Sequence, residues 1–383
     1  MRHRRCGSLL LEPREQVYFD VARVLEGEDG LVAEIRWFAL APHLGAPVQV
    51  DAEERELLGM LSPTTWRTGP LSPVLERLHD KGLVVTEDAG ADSSSDRDER
   101  LRAGHWWTPA AVVHRLGRWQ DVDSAQDMEA NRLFHADDLR RQLGPPPAAT
   151  ATRGCVAGML TLPRAPAEEV VATTTRVTCR NFDAGRAISA EDLSRLLAAT
   201  AMAHGQVLAG PDMAFLKKAV PSGGGLHATE AYLLVQRVEG LPAGLYHYRP
   251  LDHALAPLPP AVSDLEVLAG RWLAGQHWFA NAAVLVVFAP RYARAFWKYR
   301  NHVKAYRALL LDVGHLSQAF YTAATGRGLG AFVTSAINEV DIETSLGLDP
   351  FEEGPLAICG IGWRGSQMDN AELDPNGAVW TTR

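Results

Sequence analysis

Two spacings of apolar residues dominate the C-terminal two-thirds of this chain. From Tyr306 to Thr325, Leu309, Leu310, Val313, Leu316, Phe320 and Ala324 recur at steps of three and four. That period gives a helix one apolar face, and predicts a core or dimer-interface helix. Shorter runs behave differently. Glu230 to Gln236 and Val284 to Phe288 are apolar almost throughout, as strands buried on both faces are, although the first could begin as a helix. Gly244-Leu245-Tyr246-His247-Tyr248 alternates at period two like a strand. Gly328 to Val333 ends the long helix and begins another strand, and Leu356 to Cys359 forms a last one, closed by Gly360-Ile361-Gly362. Ser189 to Asp192 has capping-box-like spacing and opens a helix through Leu193, Leu196 and Leu197.

The N-terminal part reads differently. Short apolar runs (Val17 to Val24, Val32 to Leu40) precede two predicted helices, one over Asp51 to Leu61 and one over Val74 to His79. Ser72-Pro73 supplies the second with a cap and a first-turn proline. Lys81-Gly82 and the short strand Leu83 to Thr86 follow. Helix, turn, helix, glycine and strand resemble a winged-helix module, which binds DNA or peptides or serves only for dimerisation. The small polar stretch from Ala89 to Arg100 reads as a flexible loop or linker. A helical stretch through His114 to Trp119 follows it, with Trp106, Trp107 and Trp119 expected as packing anchors. Gly144 to Thr150, rich in Pro and Ala, reads as a second linker. The expected organisation is a winged-helix-like domain over 1–90, a linker with a helical segment over 91–160, and an α+β domain over 161–383.

Composition narrows the function. The 383 residues carry a net charge of −8, which argues against nucleic acid as the main partner because no broad basic field drives counterion release. No apolar run approaches the roughly 18 residues of a membrane helix, and the start lacks the apolar core of a secretory signal. Four scattered cysteines and thirteen histidines show no metal-like spacing, so reduced thiols in a cytoplasm are expected, with no metal.

Two stretches carry chemistry. In an extended Arg176-Val177-Thr178-Cys179-Arg180, alternate residues share a face, so Arg176, Thr178 and Arg180 converge. Two guanidinium forks and a hydroxyl suit a phosphate monoester; an ordinary solvated arginine face is the other reading. Pro221-Ser222-Gly223-Gly224-Gly225-Leu226-His227 is a surface turn when taken alone. Without Cβ atoms, it also lets backbone N–H groups approach a flat or anionic ligand.

Together, the order Arg-x-Thr-x-Arg-x-Phe, capped helix, Pro-Ser-Gly-Gly-Gly, Glu230, Lys298-Tyr299, Tyr306-Arg307 and Gly328-Leu329-Gly330 resembles the nitroreductase superfamily. It looks most like its SagB-type branch, FMN-dependent dehydrogenases of peptide maturation, over roughly residues 170 to 365. The resemblance implies a nitroreductase-like FMN-binding fold, a mostly antiparallel central sheet flanked by helices, with FMN at a homodimer interface. It implies that Arg176, Thr178 and Arg180 hold the phosphate, with Arg364 a weaker candidate. Ser222, Gly223 and Gly224 would lie by the isoalloxazine ring, and Gly328 and Gly330 near the cofactor. Lys298-Tyr299 matches the family's Lys-Tyr motif, to which a base role is attributed. The stretch between it and Tyr306 is longer than usual, which leaves Lys304 as an alternative. The implied reaction oxidises azolines to azoles on a precursor peptide, with a cyclodehydratase as possible partner. The alternatives are an NAD(P)H-dependent FMN reductase of dehydroamino acids, nitro groups or quinones, and a catalytically silent scaffold.

Overall fold

The computed structural model describes residues 1–383 except 28, 88–89, 147, 151–173, 211–212, 260–263 and 381–383. Cys155 and the end of the expected linker at residue 160 lie outside the described residues. The described chain forms two compact units, one of Met1–Arg118 with Tyr292–Arg307, the other of Trp119–Arg291 with Ala308–Arg383.

The first unit holds two small antiparallel sheets. One orders its strands β5 (Arg67–Thr68), β1 (Arg2–Arg5), β6 (Val84–Thr86); the other runs β2 (Leu10–Phe19), β3 (Leu31–Leu40), β4 (Val48–Val50). Both predicted helices form, as Ala52–Met60 and Pro73–Asp80. Asp51 and Glu54 make a reciprocal capping box on the former, and Ser72 caps the latter. Leu58, Leu78, Leu83 and Val84 meet in one core beneath them.

The stretch expected to be a loop after Ala89 is instead largely helix, Ser94–Ala103, capped by Ser93. Its polarity misleads because a charge, rather than an apolar stripe, docks it. Asp98 is buried, lies 2.7 Å from the equally buried Arg4 guanidinium and accepts the Gly7 N–H at 2.7 Å. The next helix spans Thr108–Leu116 and stops at Gly117. Trp119, beyond that stop, is 37% exposed and is no packing anchor, whereas Trp106 is buried.

The second unit is built on a six-stranded, wholly antiparallel sheet in the order β11 (Ala254–Pro257), β10 (Gly244–Arg249), β9 (Thr229–Val235), β12 (Val284–Pro290), β14 (Ala357–Gly362), β13 (Gly330–Thr334). A separate hairpin pairs β7 (Ala203–Gly210) with β8 (Met213–Lys218). The expected strands and the Ala305–Thr325 helix are all present, and Glu230 belongs to a strand rather than a helix. β9, β12 and β14 are buried on both faces. Leu233, Val286 and Cys359 pack with Leu196 and Leu197 of the Ala190–Thr200 helix and Leu316 and Phe320 of the long helix. Leu234, Leu285 and Ile358 pack on the other side with Trp272 and Ile342. Double-sided burial is why these runs lack alternation.

Asp98→Ala removes the buried partner of Arg4 and leaves it, among the described residues, only the exposed Glu99 carboxylate at 3.2 Å as an ionic partner. The first unit should lose about 3 kcal/mol, read as a lower urea midpoint with unchanged slope; an unaltered midpoint would mean that the pair does not hold this helix.

Candidate functional site

The glycine turn enters β9 at its Thr229 end, and the long helix locks it. Asp312, buried on that helix, accepts from the Ser222 hydroxyl at 2.6 Å and from the Gly223 N–H at 2.9 Å. Ser222 Oγ accepts in turn from the His227 N–H at 2.9 Å. Gly224 has φ +63° and Gly225 φ +69°, the left-handed region where glycine carries no steric cost. A Cβ on Gly223 would meet the Ala308 methyl at 3.1 Å. Sequence reasoning missed Asp312; the available signal was an acid within an otherwise apolar helical stripe.

The arginine segment is extended, as its period suggested. Val177 and Cys179 are buried, and Arg176, Thr178 and Arg180 share the less buried face. Thr178 and Tyr321 hydroxyls lie 3.0 Å apart, Arg176 Nη1 donates to Thr178 Oγ1 at 3.4 Å, and the Arg176 guanidinium stacks 4.9 Å over the Tyr321 ring. Burial is the main cause of the raised Tyr321 phenol. Among the described residues, neither Arg176 nor Arg180 has a carboxylate partner. Arg364 differs, being paired with the buried Glu372 and donating to Val177 O at 3.1 Å. Glu372 also accepts the N–H groups of Arg180 at 2.6 Å and Asn181 at 3.1 Å. Arg364 thus ties the C-terminal segment to the extended arginine segment.

The two later glycines have local explanations. Gly328, φ +70°, terminates the long helix, and lines a cleft of about 270 Å³ with Thr175, Val177, Thr325 and Arg364. Gly330 is buried, and its missing Cβ leaves room for Cys179, whose Sγ would lie at 2.6 Å. Burial pushes the Cys179 thiol up to about 12, so it is an inert packing group.

A charged network adjoins the turn. Lys218, only 5% exposed, lines a small cavity with Ser222, His227 and Asp312. Burial, then the nearby Arg291 charge, lowers its pKa against the pull of Glu230. Glu230 lies 2.7 Å from Arg291 and 3.3 Å from His247. Burial pushes its carboxyl up, but His247, Arg291 and Lys218 outweigh burial and hold it below the usual range. Glu353 goes the other way, raised to about 7 by burial and by the Glu230 charge. Sequence reasoning missed Lys218 and Glu353.

Lys298 and Tyr299 belong to the first unit. Lys298 is exposed, its ammonium 5.6 Å over the Tyr299 ring, and Lys304 is exposed as well. The second unit gives up the chain at Arg291 and takes it back at Ala308. Arg291 N–H donates to Ala228 O at 3.0 Å, and Ala308 is the residue that abuts Gly223. Within the second unit, Arg291 thus lies at the exit of the glycine turn and Ala308 against Gly223.

A model of the nitroreductase family matches residues 173–363. The putative nitroreductase MJ1384 of Methanocaldococcus jannaschii is 31% identical over 147 residues, 38% of this chain and 70% of that protein. This chain belongs to the nitroreductase family. Trifolitoxin-processing protein TfxB of Rhizobium leguminosarum bv. trifolii is 32% identical over 144 residues, 37% of this chain and 38% of that protein. Microcin B17-processing protein McbC of Escherichia coli is 29% identical over 154 residues, 39% of this chain and 55% of that protein. The chain thus spans well under two thirds of these two processing proteins. They agree with the SagB-type resemblance of the motifs, and the helix-flanked antiparallel sheet is the nitroreductase fold. Among the described residues, no helix is long and apolar enough to cross a membrane.

The Glu353 shift has a definite sign. Its folded pKa of about 7 exceeds the free value near 4.3, so the folded state holds the extra proton between them. Stability therefore falls as pH rises through that window and stays reduced above it. Glu353→Gln should flatten this part of the stability–pH curve and raise the melting temperature at pH 8; parallel curves for the two proteins would remove the assignment.

Proposed function

We propose that this chain is a cytoplasmic FMN-dependent dehydrogenase that matures a ribosomally synthesised peptide by oxidising azolines to azoles. The observation that carries the reading is the Asp312-locked glycine turn of the second unit, flanked there by Arg291 and Ala308. Support comes from the relatives, two of which are named for processing trifolitoxin and microcin B17.

The residues fit an anionic, flat cofactor. Arg176 and Arg180, without carboxylate partners among the described residues, and the Thr178 hydroxyl would hold the phosphate. Arg364 would have to leave Glu372 to join them, so its part is to brace the extended arginine segment. Ser222, Gly223 and Gly224 would lie along the ring system, where a Cβ on Gly223 would disturb the wall at Ala308. FMN, when bound, supplies the two-electron acceptor for the hydride of the azoline carbon. Lys298, acting as the neutral amine, takes the proton from the neighbouring carbon and becomes the ammonium, so the peptide loses two hydrogens as one hydride and one proton. Tyr299, whose ring lies beneath the Lys298 nitrogen, orients it. Glu230, held ionised by Arg291 and His247, keeps a fixed negative charge beside Lys218.

The exposed stripe Leu310, Leu311 and Gly314 on the long helix supports pairing with a second copy, with FMN at that interface. The winged-helix-like first unit would hold the leader of the precursor peptide or a cyclodehydratase. A flavin reductase using NAD(P)H is the second reading, favoured by the likeness to a putative nitroreductase.

Purified protein should be yellow, and a colourless preparation that cannot be reconstituted with FMN would leave only the silent scaffold. In air, a thiazoline-bearing peptide should lose two hydrogens by mass without nicotinamide; change only with NADPH makes the protein the reductase. Lys298→Ala should abolish turnover and retain FMN, and full activity would move the base role to Lys304 or Tyr299. Arg176→Ala should weaken FMN binding by roughly tenfold or more, the loss of a charge-assisted hydrogen bond, as titrated by flavin fluorescence.

A further inference from the structure

The segment Tyr292–Arg307 is fastened at both ends to one imidazole. Tyr292 Oη lies 2.8 Å from His114 Nε2, and Tyr306 Oη lies 3.0 Å from His114 Nδ1. A neutral imidazole has one N–H and one bare nitrogen, so one tyrosine accepts and the other donates. His114 stays neutral because burial, with Arg118 and Arg115 adding to it, lowers its pKa to about 3. Trp106 closes the cage. Its ring stacks on His114 at 5.3 Å and meets Tyr292 at 4.6 Å, Phe296 at 4.7 Å and Tyr306 at 5.9 Å. Further along, the Asn301 N–H donates to His105 O at 2.9 Å.

Lys298 itself is not anchored in this way. Among the described residues its ammonium meets only the ring of its neighbour Tyr299. Its position is therefore set by the base of the segment. We propose that His114 is a positioning residue for the Lys298–Tyr299 pair, so that the first unit takes part in the reaction whether or not it binds a leader. The inference rests on the reading of that pair as the proton-handling group. His114 moves no proton in the reaction; its two hydrogen bonds fix the ends of the segment from which Lys298 projects.

The test uses the full-length, FMN-loaded protein. His114→Phe keeps a ring against Trp106 and leaves both tyrosine hydroxyls without the imidazole. Tyr306→Phe is the milder variant, and reads the same effect should His114→Phe fail to fold. Hydrogen exchange should accelerate about tenfold or more within 292–307 and stay unchanged in the glycine turn, with FMN content intact. Turnover, on a thiazoline peptide in air or a nitro compound with NADPH, should fall about 100-fold in kcat with KM held, the scale of a roughly 1 Å misplacement. In the triple variant His114→Phe, Tyr292→Phe, Tyr306→Phe, no buried hydroxyl is left without a partner. Its melting temperature should recover while kcat stays low. Recovery of both makes His114 a stabilising residue only, and overturns the proposal. Unchanged exchange within 292–307 overturns it too, as does a fully active His114→Phe beside an inactive Lys298→Ala. A fully active Lys298→Ala, or a wild type inert on both substrates, removes the underlying reading instead.

Discussion

Burial of β9, β12 and β14 on both faces is the constraint from which the rest of the second unit follows. A strand with apolar neighbours above and below has no place along its length for a charged group that must meet a ligand. Chemistry is driven to the strand ends. β9 receives the glycine turn at Thr229, β12 ends at Pro290 just before Arg291, and β14 ends two residues before Arg364. Because β9 and β12 run antiparallel, Thr229 pairs with Pro290, and the start of one strand lies beside the end of the other. The pairing brings the turn and Arg291 to one end of the ladder.

Two buried carboxylates then hold the ends in place. Asp312 fixes the glycine turn through a hydroxyl and an N–H, and Glu372 fixes the extended arginine segment through Arg364 and two backbone N–H groups. Each satisfies donors that would otherwise be stranded without water. Their burial is tolerable because each gathers several donors. This division leaves Arg176 and Arg180 without carboxylate partners among the described residues, and it confines the structural ion pair to Arg364.

Much of this was legible in the chain. Period-two alternation placed Arg176, Thr178 and Arg180 on one face, and period 3.6 gave the long helix nearly to the residue. What escaped were groups whose meaning depends on distant partners. Asp312 is one polar residue in an apolar helix until Ser222, ninety positions away, reaches it. His114 is an unremarked histidine until two tyrosines more than 170 positions later close on it. The helix Ser94–Ala103 escaped for the opposite reason, since its docking residue is Asp98 and no hydrophobic period marks it.

The attachment of the Lys-Tyr segment bears on how such a protein can diversify. Arg291 and Ala308 hold the two crossing points, and neither lies within the double-faced core. Chain added between Lys298 and Tyr306, beyond the Tyr292–Phe296 helix, lengthens a connection whose closure entropy grows only logarithmically, about 0.6 kcal/mol for each doubling. The long spacing between Lys298 and Tyr306 is therefore an affordable variation, one that changes the length of the segment while the sheet of the second unit stays the same.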